Sequence, residues 1–407
     1  PCDQGETVIL LVSSAPPGED PAALWDAELA RREEELARDG NLTGPLPARE
    51  PPQAAFGKGT AADPGPGTRL SPRGGGGEVE HRPGEGETEI AGCAGADREL
   101  LSALVRAGRK FLIRTPSGRP AVIAGYPWFG SWGRDTLISL PGLAFCTERV
   151  GEGVEILTEI GRHERDGLLP NFFSGDGKPE AYNTVDSSLL YFRAVQELHR
   201  ITGDAALIRA NFWPVMTRII RRFMRGTRFE IGMDERGLLH AGDGRTALTW
   251  MDATVGGMPV TPRNGYPVEI NALWYNALCF AHALAERFAE TGWSFGETAQ
   301  RTGASFREAF WIPAEGYLGD VVQGGTLDRA VRPNQLFAVS LPFSPLSLPE
   351  QEGVVRKVRE ELLTPCGLRT LAPADPAYRG RYRGNGAERD SAYHQGTVWP
   401  WLLGPYG

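Results

Sequence analysis

The sequence Trp128-Phe-Gly-Ser-Trp-Gly-Arg-Asp135 mixes aromatic and charged residues and leads directly into an apolar run of helical period. Four later clusters of the same kind also precede helical stretches, at residues 182–186, 250–252, 332–335 and 393–399. If the helices alternate in direction, the loops at one rim gather into one pocket. Indole and phenol faces beside carboxylates and amides suit a sugar. The pattern therefore predicts a carbohydrate pocket at one rim of a helical domain.

Helical period continues through most of the chain from Arg98 onward. About ten helices are predicted, around residues 98–112, 135–148, 152–163, 184–201, 204–224, 268–288, 293–310, 333–341, 348–363 and 394–406. One helix per roughly 20 to 30 residues is typical of antiparallel helical hairpins packed side by side, as in a toroid or a solenoid. Strands are predicted only as small hairpins, at residues 229–231, 238–240 and 317–322.

Three regions of the chain differ in composition. Residues 1–42 hold a short apolar run and a charged helix, interpreted as the end of a β-rich amino-terminal domain with its connecting helix. Residues 43–92 are rich in Pro and Gly and bury too little apolar surface to offset their ordering entropy, so a flexible linker or insert is expected. Residues 93–407 form the helical domain, expected to be incomplete because the chain ends at Gly407 inside a predicted helix.

Composition argues against several classes of function. A net charge of −8 disfavours a nucleic-acid partner, since phosphate binding needs clustered Lys and Arg. Five scattered cysteines without a Cys-x-x-Cys pair are too few for a disulfide framework, and no run approaches the roughly 20 apolar residues of a membrane helix. No phosphate loop, dinucleotide fingerprint or metal-ligand spacing occurs in the sequence. We therefore expect a cytoplasmic protein that binds a neutral ligand without metal or cofactor.

Asp252 is the strongest candidate for acid–base chemistry. It follows Trp250 and Met251, and desolvation by such neighbours is expected to raise the pKa of a carboxyl, as a general acid requires. Cleavage of a glycosidic bond needs such an acid and a second carboxylate, about 5 Å or about 6.5 to 9.5 Å away. The residues after Asp252, Ala-Thr-Val-Gly-Gly, are also an ordinary turn sequence, so a turn without chemistry stays open.

Other polar residues of the clusters have both a binding and a structural interpretation. Asp135 and Asp186 are expected either to contact sugar hydroxyls or to cap their helices. Glu269 opens a long helix among apolar neighbours, where it either binds a ligand or pairs with an arginine. His394 either donates to a sugar hydroxyl or lies satisfied in the core.

The ordered clusters resemble the amylo-α-1,6-glucosidase region of glycogen debranching enzymes in their bacterial and archaeal form. The resemblance covers roughly residues 98–407, with a further short match near residues 7–30. The motifs that carry it are Ala124-Gly-Tyr-Pro-Trp-Phe, Trp132-Gly-Arg-Asp, Leu169-Pro-Asn, Tyr182-Asn-Thr-Val-Asp, Thr249-Trp-Met-Asp, Pro267-Val-Glu, Arg332-Pro-Asn-Gln, Gly367-Leu-Arg-Thr-Leu and Tyr393-His-Gln-Gly-Thr-Val-Trp-Pro.

The resemblance implies an (α/α)6 helical toroid that hydrolyses the α-1,6 branch stubs of an α-glucan, glycogen or limit dextrin, with inversion and without a cofactor. The family's general acid falls on Asp252, and the pair that holds the terminal glucose falls on Arg134 and Asp135. The remaining glucose-subsite residues would be Trp132, Trp250, Glu269, His394 and Gln395. The family's general-base glutamate lies beyond the Tyr-His-Gln-Gly motif, and no residue up to Gly407 matches it.

Two alternatives remain open from the sequence. Another inverting α-glucosidase or a trehalase-like enzyme would use the same toroid. A noncatalytic glycan-binding fragment would keep the aromatic residues without the chemistry. The oligomeric state does not follow from these residues.

Overall fold

The computed structural model describes residues 95–126, 129–174 and 177–407, with side chains from Leu101 onward. The predictions for residues 1–42 and 43–92, and for Trp128, lie outside these residues. The chain divides into two units, residues 11–101 and a unit that contains Ser102–Gly407. The described part of the first unit is only the beginning of helix α1, and the site lies wholly in the second.

Twelve α-helices occur in the described residues. They are α1 (Gly95–Arg109), α2 (Gly133–Leu140), α3 (Val150–Arg162), α4 (Asp186–Thr202), α5 (Ala205–Asn211), α6 (Trp213–Arg225), α7 (Val268–Arg287), α8 (Phe295–Phe310), α9 (Phe337–Ser340), α10 (Leu348–Glu361), α11 (Gly386–Ala392) and α12 (Leu403–Tyr406). A π-helical turn, Pro141–Phe145, continues α2, and 3-10 turns occur at Arg228–Glu230, Pro333–Leu336 and Pro400–Leu402.

The helices alternate between an inner and an outer layer. Helices α2, α4, α7, α9 and α12 pack side by side in that order, while α3, α6, α8 and α10 pack behind them. The amino-acid pattern explains the difference, because α7 is buried along most of its length, whereas α6 carries one apolar face opposite arginines. This alternation is the arrangement of antiparallel helical hairpins packed side by side that the sequence predicts.

The strands are short and lie in the connections between helices. They are β1 (Leu112–Arg114), β2 (Pro120–Val122), β3 (Ser131–Trp132), β4 (Phe172–Phe173), β5 (Pro179–Ala181), β6 (Gly232–Met233), β7 (Leu239–His240), β8 (Thr254–Val255), β9 (Met258–Pro259), β10 (Tyr266–Pro267), β11 (Trp311–Ile312), β12 (Tyr317–Leu318), β13 (Val321–Gln323), β14 (Thr326–Asp328), β15 (Leu363–Thr364), β16 (Gly367–Arg369) and β17 (Val398–Trp399). The three-stranded sheets are β3–β4–β5, β10–β13–β14 and β15–β16–β17, and all described strand pairs are antiparallel.

Two predicted elements differ in the structure. The strand predicted at residues 229–231 is wrong, because Phe229 has a φ of 58° inside a 3-10 turn and the hairpin forms from β6 and β7 beside it. The helix predicted at residues 394–406 is wrong in its first half. There Gly396 has a φ of 129°, and the next residues extend into β17 before α12 begins.

The core consists of two clusters of buried side chains. The larger cluster joins the inner and outer helices. The second contains Trp250 and Met251 together with Leu336, Val358 and Leu402. The segment before Asp252 is therefore anchored in the second cluster.

Candidate active site

Asp252 lies in the loop between β7 and β8, and its carboxylate is held by Arg134. Arg134 Nη1 donates to Asp252 Oδ2 over 2.8 Å, across a sequence separation of 118 residues. The Asp252 side chain keeps 36% of its surface exposed. Among the described residues no hydrogen bond reaches its Oδ1. A fixed carboxylate with one oxygen open to a ligand is suited to proton transfer.

Arg134 is fixed from its other side by Asp186. Its Nε donates to Asp186 Oδ2 over 2.8 Å, and both side chains are buried. Burial alone would lower the pKa of Arg134, but the charges of Asp186 and Asp252 outweigh burial and raise it. Burial also raises the pKa of Asp186, against the opposing charge of Arg134. Arg134 Nη2 and Asp186 Oδ1 are buried and find no partner among the described residues.

The start of helix α2 places Arg134 inside the protein and Asp135 outside it. The helix begins at Gly133, where a Cβ would lie 2.1 Å from the carbonyl oxygen of Pro170. Asp135 is exposed in the first turn. Desolvation by the surrounding protein still raises the pKa of Asp135, against the effect of Arg134. The positions before α2 and α4 are Trp132 and Val185, so neither Asp135 nor Asp186 is the capping residue of its helix.

The aromatic residues around Asp252 support the loop from behind. Trp250 Nε1 donates to Asn334 Oδ1 over 2.8 Å. The partners of its ring, all edge-on, are His394, Trp399 and Trp401. Trp250 and Met251 are buried in the core, while the side chain of Asp252 is partly exposed. Desolvation of Asp252 by these two neighbours stays a prediction. Trp132 is half-buried and packs on Phe172, with ring centroids 5.0 Å apart.

Glu269 belongs to a group of buried charged residues beneath this loop. Arg263 donates to both of its carboxylate oxygens, from Nη2 over 2.6 Å. Arg263 Nε also donates to Asp320 Oδ2 over 2.7 Å. Asp320 Oδ1 in turn accepts from Asn334, the residue that holds Trp250, over 2.7 Å. Of the two interpretations of Glu269, the structure shows the pair with an arginine. Because Glu269 is 1% exposed, its carboxylate has no access to a ligand.

Arg263 and Asp320 complete this buried group, and the sequence analysis does not single them out. Each lies outside the aromatic clusters, and their ion pair joins positions 57 residues apart. One signal points to Arg263. A buried glutamate near the start of an apolar helix requires a cation, and Arg263 lies six residues before Glu269.

His394 packs edge-on against the ring of Trp250, and Gln395 follows it in the chain. Burial first, and then the charges of Arg134, Arg332 and Arg263, lower the pKa of His394 to about 3. The buried imidazole is therefore neutral, and its Nδ1 finds no partner among the described residues. Gln395 Oε1 accepts from Arg332 Nη2 over 2.8 Å. Both residues are adjacent to the Asp252 loop, and both are largely closed to solvent.

The described residues contain no group of three or more His, Cys, Asp or Glu side chains arranged to hold a metal ion. No helix in this part of the chain is long and apolar enough to span a bilayer.

The fold is shared with solved glycosidase structures. A GH63 mannosylglycerate hydrolase from Thermus thermophilus, in complex with glucose, aligns with a TM-score of 0.52 and 13% identity. The alignment covers 75% of this chain and 85% of that chain. An uncharacterized conserved protein from the same organism aligns with a TM-score of 0.50 and 12% identity over 71% of this chain and 82% of that chain. These likenesses define the class of fold, an (α/α)6 toroid, and at such low identity they define no more.

Sequence comparison identifies the family within this class. Residues 106–407 match the family described as amylo-alpha-1,6-glucosidase, and the chain therefore belongs to it. A glycogen debranching enzyme of Saccharomyces cerevisiae is 27% identical over 70% of this chain. The chain spans about a quarter of the length of that relative, since the match covers 25% of it.

Proposed function

We propose that this protein is a glycoside hydrolase that removes glucose from the α-1,6 branch stubs of glycogen or limit dextrin with inversion. The observation that carries the proposal is the Asp252 carboxylate, fixed by buried Arg134 and open to a ligand at the rim of the toroid. Membership of the amylo-alpha-1,6-glucosidase family and the debranching enzyme among its relatives support it. The proposal includes a cytoplasmic location, where the enzyme would encounter glycogen.

Asp252 has the role of general acid in this proposal. The acid must present a proton to the glycosidic oxygen while the C–O bond breaks. Arg134 occupies Oδ2, so Oδ1 is the atom that would carry the proton. No cofactor is needed for this step. A second carboxylate must activate water on the opposite face of the sugar. Glu269 is unsuited to that role because both of its oxygens bind Arg263.

The terminal glucose would be bound on the side of helix α2. Asp135 is an exposed carboxylate beside the ion pair, and Arg134 Nη2 is a donor without a partner among the described residues. Trp132 offers a half-buried ring next to both. His394, Gln395 and Trp250 would support the same subsite from behind, as predicted from the family resemblance.

The test of this proposal is the substitution Asp252→Asn in the intact protein. We expect turnover of limit dextrin to fall by about 10²- to 10⁴-fold while glucan binding persists, because only proton donation is removed. Asp166→Asn is the matched control, since Asp166 is exposed and pairs with Arg222 on the surface. The released sugar of the wild type should be β-glucose, observed by NMR. Near-normal turnover by Asp252→Asn would contradict the proposal.

Parallel assays separate the alternative functions. Hydrolysis of trehalose or maltose in preference to limit dextrin would indicate a different inverting glycosidase on this fold. Glucan binding without turnover by the intact wild type would indicate a noncatalytic binding protein.

A further inference from the structure

The hairpin β8–β9 begins two residues after Asp252 and presents an apolar side chain to solvent. Val255 pairs with Met258 across a turn formed by Gly256 and Gly257, whose φ angles are 60° and 77°. The hairpin is closed at its base by the bond from Val260 N to Ala253 O, 2.9 Å long. Met258 is 60% exposed. A large apolar side chain held out beside a candidate acid is suited to ligand contact.

Tyr382 is an exposed aromatic residue in the segment that precedes helix α11. Helix α11 packs on β8, and Tyr393 follows this helix directly. Tyr393 packs on Trp399, at 5.0 Å between ring centroids, and Trp399 packs on Trp250, so Tyr393 belongs to the wall of the Asp252 loop. Tyr382 packs on Tyr393 at 5.7 Å and is itself 48% exposed.

The electrostatic surroundings of Tyr393 agree with this placement. Burial first, and then the charges of Tyr382, Asp252 and Asp135, raise the pKa of Tyr393 to about 12. Tyr382 stands between Arg381 and Arg383, which are both exposed. Exposed aromatic and apolar surface flanked by guanidinium donors is suited to a neutral polyol, whose C–H face packs on a ring while its hydroxyls accept hydrogen bonds.

The direction of the reaction decides which part of the substrate meets this surface. A general acid protonates the oxygen of the leaving group, so the departing chain must pass the acid. Under the proposed function the terminal glucose is bound at Arg134 and Asp135.

We propose that Tyr382 and Met258 form a subsite for the α-glucan chain that departs when glucose is released. This inference rests on the proposed function, since Asp252 defines which side is the leaving-group side. In this proposal the hairpin β8–β9 and the segment before α11 select a polymeric leaving group.

The test compares two substrates, limit dextrin and α-glucosyl fluoride, which has no sugar in its leaving group. We expect Tyr382→Ala and Met258→Ser each to lower kcat/KM for limit dextrin by about fivefold or more, while kcat/KM for the fluoride stays within about twofold. Tyr382→Phe should retain most activity because it keeps the ring. Leu348→Ala, at an exposed apolar residue of outer helix α10, should change neither value. Equal losses on both substrates, or no loss on either, would overturn the subsite.

A binding measurement separates this inference from the hydrolase proposal. In the Asp252→Asn background, the protein that also carries Tyr382→Ala should be retarded less by glycogen during gel electrophoresis. This result is expected whether or not turnover is detected. If the wild type hydrolyses neither substrate but Tyr382→Ala still weakens glycogen binding, the hydrolase proposal fails and the glucan subsite stands. Unchanged glycogen binding by Tyr382→Ala and Met258→Ser would reject the subsite.

Discussion

Arg134 connects two carboxylates that come from distant parts of the chain. Its Nε and Nη1 each donate over 2.8 Å, to Asp186 and Asp252. A planar guanidinium with donors in fixed directions orients two acceptors at once, which lysine does not do. Removing one partner of a buried ion pair leaves an uncompensated charge. Asp186 is therefore expected to act on catalysis through Arg134.

Asp186→Asn is expected to lower kcat for limit dextrin by about 10²-fold, because loss of the anionic partner lets Arg134 and Asp252 shift. The loss should be much smaller for α-glucosyl fluoride, since fluoride leaves with little help from a general acid. Circular dichroism and thermal melting check that the variant is folded. If Asp186→Asn lowers both rates equally, its role is in binding glucose and not in orienting the acid.

At the scale of elements, the start of helix α2 depends on close contact with the segment before β4. Gly133 N donates to Asn171 O over 3.0 Å, and the Pro170 carbonyl oxygen occupies the space of a Cβ. Both groups are backbone, so they cannot rotate away. The position of Arg134 is thereby tied to the chain that precedes α4.

Gly133→Ala is expected to destabilise the fold by about 1 to 3 kcal/mol, because the added methyl group must displace backbone. Gly142→Ala is the matched control, since no atom lies within 4 Å of its added Cβ and alanine favours helix. Urea denaturation followed by Trp fluorescence measures both. A Gly133→Ala midpoint equal to the wild-type value would show that the contact relaxes at no cost.

At the scale of the whole molecule, the site combines buried charges of both signs around one neutral histidine. Arg134, Arg263 and Arg332 all disfavour a proton on His394. In the unfolded chain this histidine titrates near its ordinary pKa of about 6.5. The unfolded state therefore binds one more proton than the folded state between about pH 6.5 and pH 3.

This difference predicts how stability depends on pH. His394 contributes full stability above about pH 6.5 and loses about 1.4 kcal/mol per pH unit as pH falls toward 3. His394→Gln should reduce the slope of unfolding free energy against pH in this window, whatever its effect at neutral pH. His282→Gln, at an exposed residue of α7, is the control for replacing a histidine by glutamine. Identical slopes for wild type and His394→Gln would show that His394 is protonated in the folded state.

The local pattern was sufficient to predict a domain of antiparallel helical hairpins and the loops that form the site, and the family resemblance added the toroid. Apolar period and turn residues are local properties, and the aromatic clusters precede helices that the structure contains. Errors arose where local signals conflict. Residues 394–406 have helical period, but Gly396 and Pro400 divide them between β17, a 3-10 turn and α12.

The partners of the charged residues depended on tertiary structure. The sequence places Asp135 next to Arg134, yet the guanidinium binds Asp186 and Asp252, 52 and 118 residues away. Glu269 has the sequence context of either a ligand contact or an ion pair, and only packing against Arg263 decides between them. Sequence by itself determined the fold class, the family resemblance and the residue types available for chemistry, because these depend on period and composition. Which oxygen of Asp252 is held, and which carboxylates are closed to a ligand, were decided by the folded chain, since burial and pairing arise only when distant segments pack.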